Sequence, residues 1–139
     1  MIDSPNSIEI NLSALAHNLN QVKRLVGPAT KIMGIVKSDA YGHGAVPVSR
    51  VLEKEGVQSL GVAHLHEAIG LREHGIACPI VVLCGIKTRE EAAAVIEKDF
   101  IPVLFDAGQV EIRPPTDGQK AAPAGRGGDS RKRAGRHVA

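Results

Sequence analysis

Apolar residues along the chain fall into two alternating patterns, one typical of buried strands and one typical of amphipathic helices. Four short, nearly continuous apolar runs predict strands over residues 31–36, 59–63, 80–84 and 101–105. Pro102 has no N–H to donate, which predicts that the fourth strand starts late, near Val103. Polar and apolar residues alternate over residues 7–11, and this alternation predicts one further short strand.

Between these runs, apolar residues recur at three- and four-residue spacing, which predicts a helix before the first strand and one after each of the first three. The positions expected to face the core are Leu15, Leu19, Val22 and Val26, then Val48, Val51 and Leu52, then Leu65, Ala68 and Ile69, and finally Ala92, Val95 and Ile96. Ser13 is a candidate N-cap of the first helix, and Thr88 with Glu91 is a candidate capping box for the last. The first three helices are each expected to end at a glycine, namely Gly27, Gly56 and Gly75.

The regular alternation of strand and helix predicts an α/β fold with a parallel sheet and right-handed crossovers. A (β/α)8 barrel and an open doubly wound sheet begin in the same way, so the periodicity alone leaves both open. A complete barrel needs about 250 residues. The chain has 139, which is room for about four βα units.

Composition narrows the class of protein. Aromatic residues make up only 2% of the chain, so nucleic-acid binding through stacked bases lacks its usual side chains. No apolar run approaches a membrane span, and the start of the chain has no secretion pattern, so we expect a cytoplasmic protein without a membrane partner. Cys78 precedes the third predicted strand and Cys84 ends it, about 20 Å away, too far for a disulfide, and both are expected to be buried thiols rather than metal ligands.

Charge divides the chain into two parts. Residues 1–106 hold ten Lys/Arg and twelve Asp/Glu, a net charge of −2, whereas residues 107–139 hold seven and three, a net charge of +4. The second part is rich in Gly, Arg, Ala and Pro and has few large aliphatic residues, so we expect a disordered basic tail. It is either a tail that binds nucleic acid or membrane, or out-of-frame translation of GC-rich DNA, and we favour the second.

The candidate chemistry lies directly after the first predicted strand. Lys37 follows the apolar run that ends at Val36, and α/β folds place their functional groups at the carboxyl ends of strands. The loop after it contains Asp39, Tyr41 and His43, with Gly42 and Gly44 permitting a tight turn close to a ligand. The sequence therefore predicts a site with a lysine at its floor.

The segment Val36-Lys37-Ser38-Asp39-Ala40-Tyr41-Gly42-His43-Gly44 resembles the cofactor-attachment motif of the alanine racemases, with serine at position 38 where the family usually has alanine. The resemblance extends over about the first hundred residues. It implies the amino-terminal part of a TIM-type (β/α)8 barrel over residues 1–106, followed by the tail over 107–139. It also implies pyridoxal 5′-phosphate (PLP) as cofactor, attached to Lys37, which also serves as a base, with Tyr41 binding the phosphate.

The resemblance further implies interconversion of L-alanine and D-alanine for peptidoglycan supply, by an isomerase that acts as a homodimer. In the family, a tyrosine of the partner subunit's second domain serves the opposite face of the cofactor, and Tyr41 is the only tyrosine of this chain. We therefore expect a truncated form that is inactive alone. The alternatives are a non-catalytic fragment or degraded gene product with a basic tail, and a related racemase for serine or for several amino acids.

His64 and His66 have no third ligand in register, and we expect a helix entry there rather than a metal site. Asp39 is expected to fix the turn, and His43 to form hydrogen bonds within the loop. Leu83 falls where the resemblance implies an apolar contact with the cofactor.

Overall fold

The computed structural model describes residues 8–112 and residue 114, and strands alternate with helices along them. The helical segments are α1 (Leu12–Val26), α2 (Lys37–Gly42), α3 (Ala45–Lys54), α4 (Leu65–Glu73), α5 (Arg89–Glu97) and α6 (Ala107–Val110). The strands are β1 (Met33–Ile35), β2 (Ser59–Val62), β3 (Ile80–Val82) and β4 (Phe100–Pro102). The four predicted strands therefore exist, each shorter than its apolar run.

The strands form one parallel sheet in the order β1-β2-β3-β4. In a doubly wound sheet the strand order reverses, whereas in a (β/α)8 barrel each strand lies beside the next one along the chain. The order among the described strands is sequential, so it agrees with the barrel. The sheet corresponds to about half of the eight strands that a closed barrel contains.

The core lies between one face of the sheet and the helices. Leu60, Val62, Ile80 and Val82 are completely buried on that face. The other face carries Met33, Ile35 and Ile101, which are 42%, 38% and 50% exposed. In a closed barrel the inner face is filled by layers of side chains, so the apolar character of the exposed face suits the same architecture.

The first helix, α1, ends as predicted but differs from the prediction in its N-cap and in two of its buried positions. Gly27 caps α1 as predicted, but the N-cap is Asn11, whose Oδ1 accepts from Ala14 N at 2.9 Å, and not Ser13. Val22 and Val26 are exposed although the pattern places them in the core. The reason is position: α1 precedes the first strand and packs against α3, which leaves the second half of its apolar stripe uncovered.

Two strand predictions are wrong. Residues 8–11, within the described part of the predicted 7–11 strand, form no strand. Strand β4 includes Pro102 instead of starting after it. Val103 N donates to Val82 O at 3.0 Å, and alternate residues direct their N–H groups to opposite sides, so the nitrogen of Pro102 faces away from β3. The missing N–H therefore removes no bond of the β3–β4 ladder.

The last predicted helix exists as α5, but not every contact predicted for it is present. Thr88 Oγ1 accepts from Glu91 N at 3.1 Å, which is the predicted cap. Glu91 Oε2, however, accepts from Lys87 N at 2.6 Å, so the reciprocal half of the capping box reaches one residue further back. Ile96 is 67% exposed, contrary to the prediction that it faces the core.

The two cysteines differ in burial. Cys78 is buried, as predicted, and its Sγ lies 3.7 Å from Val57 O. Cys84 is exposed, which contradicts the prediction, because β3 ends at Val82 and Cys84 already belongs to the loop that follows. Both are free thiols.

The start of the predicted tail is folded. Asp106 Oδ1 accepts from Gln109 N at 3.0 Å and caps the short helix α6. Gln109 Nε2 donates to Ile86 O at 3.1 Å, and Ile112 packs against the core, so residues 107–112 are held by contacts that the composition does not reveal. Residues 115–139 lie outside the described residues, and the division of the chain at residue 106 stays a prediction.

Among the described residues, the longest helix is too short and too polar to cross a membrane.

Candidate active site

Lys37 stands where the sequence places it, at the carboxyl end of β1. Val36 is almost completely buried, and its N–H donates to Gly61 O at 2.8 Å, so the bonding between β1 and β2 continues up to the residue before the lysine. Lys37 itself is half-buried. The backbone of Lys37 is therefore held in a defined position at the end of the sheet.

The segment after Lys37, here called the lysine loop (residues 37–44), has an unusual backbone. Ser38, Asp39, Ala40 and Tyr41 have φ angles of 53°, 54°, 52° and 56°, which is one turn of left-handed helix. Such a conformation costs about 1–2 kcal/mol per residue for L-amino acids and is rarely adopted by consecutive residues without glycine. The sequence predicted a tight turn at Gly42 and Gly44 but not this strained turn before them.

Hydrogen bonds on both sides of the turn hold it in place. Ala40 N donates to Val36 O at 2.9 Å, and Gly44 N donates to Asp39 O at 3.0 Å. The carboxylate of Asp39 accepts from Ala45 N at 2.6 Å, which joins the turn to the first residue of α3. His43 Nδ1 lies 3.0 Å from Ala40 O. Asp39 and His43 therefore have the stabilising positions that were predicted for them.

Glu67 completes the support of the loop, and sequence reasoning missed it. Its Oε1 accepts from Ser38 N at 2.6 Å, and its Oε2 accepts from Ala63 N at 2.8 Å and His64 N at 2.9 Å. Partial burial raises the pKa of this carboxyl, but the three backbone donors and the nearby His66 outweigh that effect and leave the pKa below its ordinary value. The available indication was its place three residues after the N-cap of α4, where a capping carboxylate is common.

Tyr41 lies one left-handed turn after Lys37 and is 60% exposed. Within the described residues, neither the amine of Lys37 nor the hydroxyl of Tyr41 takes part in a hydrogen bond or an ion pair. The two predicted site residues are thus brought to one end of the sheet with their polar atoms available to a ligand.

The open face of the sheet beside the lysine is apolar. A Cβ at Gly61 would lie 2.6 Å from Ile35 Cδ1, 3.4 Å from Met33 Sδ and 3.6 Å from Leu83 Cδ1, so these three side chains close over the glycine. Leu83 directly follows β3, and Ile35 is two residues before Lys37. The predicted apolar neighbour Leu83 therefore belongs to the same face as the residues that lead to the lysine.

His64 and His66 lie at the helix entry, as predicted. His64 is the N-cap residue of α4, His66 lies in its first turn, and their rings stack with centroids 5.7 Å apart. In the part of the chain that the structure describes, no group of three potential metal ligands comes together.

The left-handed turn makes a prediction about position 38. We expect Ser38→Val to lower the free energy of unfolding by about 1–2 kcal/mol, because a β-branched side chain is poorly tolerated at positive φ. Ser38→Gly is the matched control and should not destabilise the protein, since glycine adopts this conformation freely. Urea unfolding of both variants measures the difference, and equal stabilities would show that the turn is not left-handed in solution.

Comparison with known proteins agrees with this geometry. The family model described as "Alanine racemase, N-terminal domain" matches residues 10–121. The alanine racemase of Sorangium cellulosum is 47% identical over 111 residues, which cover 77% of this chain and 29% of that protein. The chain thus spans less than a third of the length of the curated relatives it matches.

Solved structures show the same relationship. The alanine racemase of Clostridium difficile in complex with cycloserine is 44% identical, with a TM-score of 0.65, and the match covers 72% of this chain and 27% of that one. The alanine racemase of Bartonella henselae with covalently bound pyridoxal phosphate is 28% identical, with a TM-score of 0.67. The match covers 73% of this chain and 28% of that one.

The sequential parallel sheet is accordingly part of a TIM-type barrel, and the family is one of PLP-dependent isomerases. The family model covers most of the described chain, including β1, the lysine loop and all three following strands. The chain belongs to the alanine racemase family, of which it contains the N-terminal domain region.

Proposed function

We propose that this chain provides the cofactor-attaching part of an alanine racemase, with Lys37 as the residue that binds PLP covalently and Tyr41 as a ligand of its phosphate. The proposed substrates are L-alanine and D-alanine, and the proposed assembly is a homodimer that supplies D-alanine for peptidoglycan. The observation that carries the proposal is the half-buried, unpaired amine of Lys37 at the carboxyl end of a barrel strand.

The groups around Lys37 suit this cofactor. PLP presents an aldehyde, a phosphate and a flat apolar ring. The amine of Lys37 suits the aldehyde, the exposed hydroxyl of Tyr41 can donate to a phosphate oxygen, and the side chains of Ile35 and Leu83 offer an apolar surface. The side chains around Lys37 therefore match the three chemical parts of PLP.

Each residue has a defined task in the proposed reaction. When bound, PLP withdraws electrons from the substrate and so makes the α-proton of alanine acidic. Lys37 would hold the cofactor at a fixed point, and its amine, when not joined to the cofactor, would be placed to remove or return a proton on one face. Racemisation also needs a group on the opposite face. Tyr41 is the only tyrosine of this chain and is assigned to the phosphate, so the chain alone is proposed to be inactive as a racemase.

Substrate protection tests the proposal. The full chain is incubated with PLP, then with L-alanine, D-alanine, L-serine or L-leucine, and reduced with borohydride, and the label on Lys37 is measured by peptide mass spectrometry. We expect both enantiomers of alanine to lower the label on Lys37 relative to that on the exposed Lys54, since a formed site would bind alanine beside Lys37, whereas at Lys54 all amino acids compete for PLP alike.

L-leucine is the control for the general reaction of amino acids with free PLP. Protection by serine above that by alanine would support a serine racemase instead. Equal labelling of Lys37 with every amino acid would contradict the proposed function.

A further inference from the structure

We propose that Glu67 is a positioning residue for Lys37, acting through the backbone of the residue that follows the lysine. The inference rests on the proposed function, because the role of Lys37 belongs to it. Glu67 makes no hydrogen bond or ion pair with the amine of Lys37; its carboxylate holds the peptide unit that follows the lysine.

The geometry is a convergence of three backbone donors on one carboxylate. Ser38 N approaches Oε1 at 2.6 Å, while Ala63 N and His64 N approach Oε2 at 2.8 and 2.9 Å. Ala63 and His64 directly follow β2, and Ser38 lies 29 residues before Glu67. One side chain of α4 therefore ties the end of β2 to the start of the left-handed turn.

The bond to Ser38 acts directly on Lys37. The peptide unit between Lys37 and Ser38 is planar, so an acceptor that fixes the direction of the Ser38 N–H also fixes the Cα of Lys37. Ser38 is the first residue of the strained turn, with a φ of 53°. A charged acceptor at its nitrogen offsets part of the cost of that conformation.

Capping of α4 does not explain this arrangement. A cap needs only the bonds to Ala63 and His64 at the start of the helix, and the bond to Ser38 joins a different element. Glu91 of α5 provides the comparison, because it accepts from Lys87 N at 2.6 Å in the same way but its bond stays within its own helix entry. Glu67 and Glu91 are thus two comparable glutamates at helix entries, and of these two Glu67 is the one that also bonds to another element.

The charge of Glu67 is suited to the task at neutral pH. Its three backbone donors keep its pKa below the ordinary value, so the carboxylate is ionised and accepts all three bonds. His64 and His66 precede Glu67 at the start of α4. Asp39 and His74 line a cavity together with Glu67. Because the pKa is lowered in the folded state, the stabilisation is complete above the ordinary pKa of glutamate and is lost as the pH falls through the lowered value.

The experiment compares Glu67→Gln with Glu91→Gln in the full chain. Glutamine keeps the shape but turns an NH2 group toward the donors, so it cannot accept all three bonds. After incubation with PLP and reduction, we expect the label on Lys37, relative to Lys54, to fall about tenfold in the Glu67→Gln variant, the loss expected for one charge-assisted bond. Glu91→Gln should label Lys37 like the unmodified chain.

Unchanged labelling of Lys37 in Glu67→Gln, when the unmodified chain labels it selectively, would overturn this inference and leave the proposed function intact. Absence of selective labelling in the unmodified chain would overturn the proposed function and this inference with it.

A second measurement needs no variant. In the unmodified chain, the amide resonances of Ser38, Ala63 and His64 should shift together with pH, with one midpoint below the usual range of a glutamate. A Ser38 amide that does not follow the other two would overturn the inference, even if the Glu67→Gln variant fails to fold.

Discussion

Replacing Lys37 with alanine is expected to reduce the PLP retained after borohydride treatment to the background of the surface lysines. Lys37 is the lysine whose backbone is fixed on both sides, by the Val36–Gly61 bond before it and by the bond to Ser38 N after it. Fixed geometry favours reaction at this amine, because folding has already supplied the entropy cost of orienting it. The measurement is the intact mass of the reduced protein.

Lys31→Ala is the matched control. Lys31 precedes β1 at its amino end, and Lys37 follows the same strand at its carboxyl end, where the barrel family places its chemistry. We expect Lys31→Ala to retain PLP like the unmodified chain. Equal losses in the two variants would show that the position on the strand has no influence.

Ile80→Ala is expected to lower the free energy of unfolding by about 2–5 kcal/mol, because it removes three buried carbons and leaves a cavity. Ile80 is completely buried in β3, between Leu60 of β2 and Phe100 of β4 in the register of the sheet. A loss of this size approaches the whole stability of a small domain. Urea unfolding followed by circular dichroism measures it.

The control for this substitution is Ile96→Ala. Ile96 is the same residue type but lies on the outer surface of α5, 67% exposed. We expect a change within about 0.5 kcal/mol there, as for other surface substitutions. Similar losses at the two positions would contradict the described packing of the sheet against its helices.

The strands and helices of this fold were predictable because their patterns are local. Continuous apolar runs around Leu60 and Ile80 mark strands buried by helices, and the glycines after α1, α3 and α4 mark where these helices end. The sheet order was not predictable from periodicity, since a barrel and a doubly wound sheet share the same local units. The motif around Lys37 was needed to choose the barrel.

The errors have a common cause, which is that tertiary contacts decided the outcome. Pro102 is accepted in β4 because its nitrogen faces away from β3, and Val22 is exposed because its helix has a neighbour along only part of its length. The short helix after Asp106 depends on the contact of Gln109 with Ile86, 23 residues earlier. The local sequence around these residues does not reveal these tertiary contacts.

The candidate site was predictable in its residues but not in its geometry. Lys37 and Tyr41 were identified from the motif, whereas the left-handed turn between them has no glycine to indicate it. Glu67 was missed because its most informative bond joins residues 29 positions apart. A strained backbone of this kind is stable only when surrounding bonds determine it, and such bonds come from the whole fold.

The most direct test of the proposed site at Lys37 is the distribution of reduced PLP over all lysines of the unmodified chain. Limiting PLP is added, the complex is reduced with borohydride, and the label on each lysine peptide is measured by mass spectrometry. The peptide containing Lys37 is expected to carry most of the label, well above those containing Lys23, Lys31 and Lys87. A label spread evenly over these lysines would contradict it, because it would mean that no site has formed around Lys37.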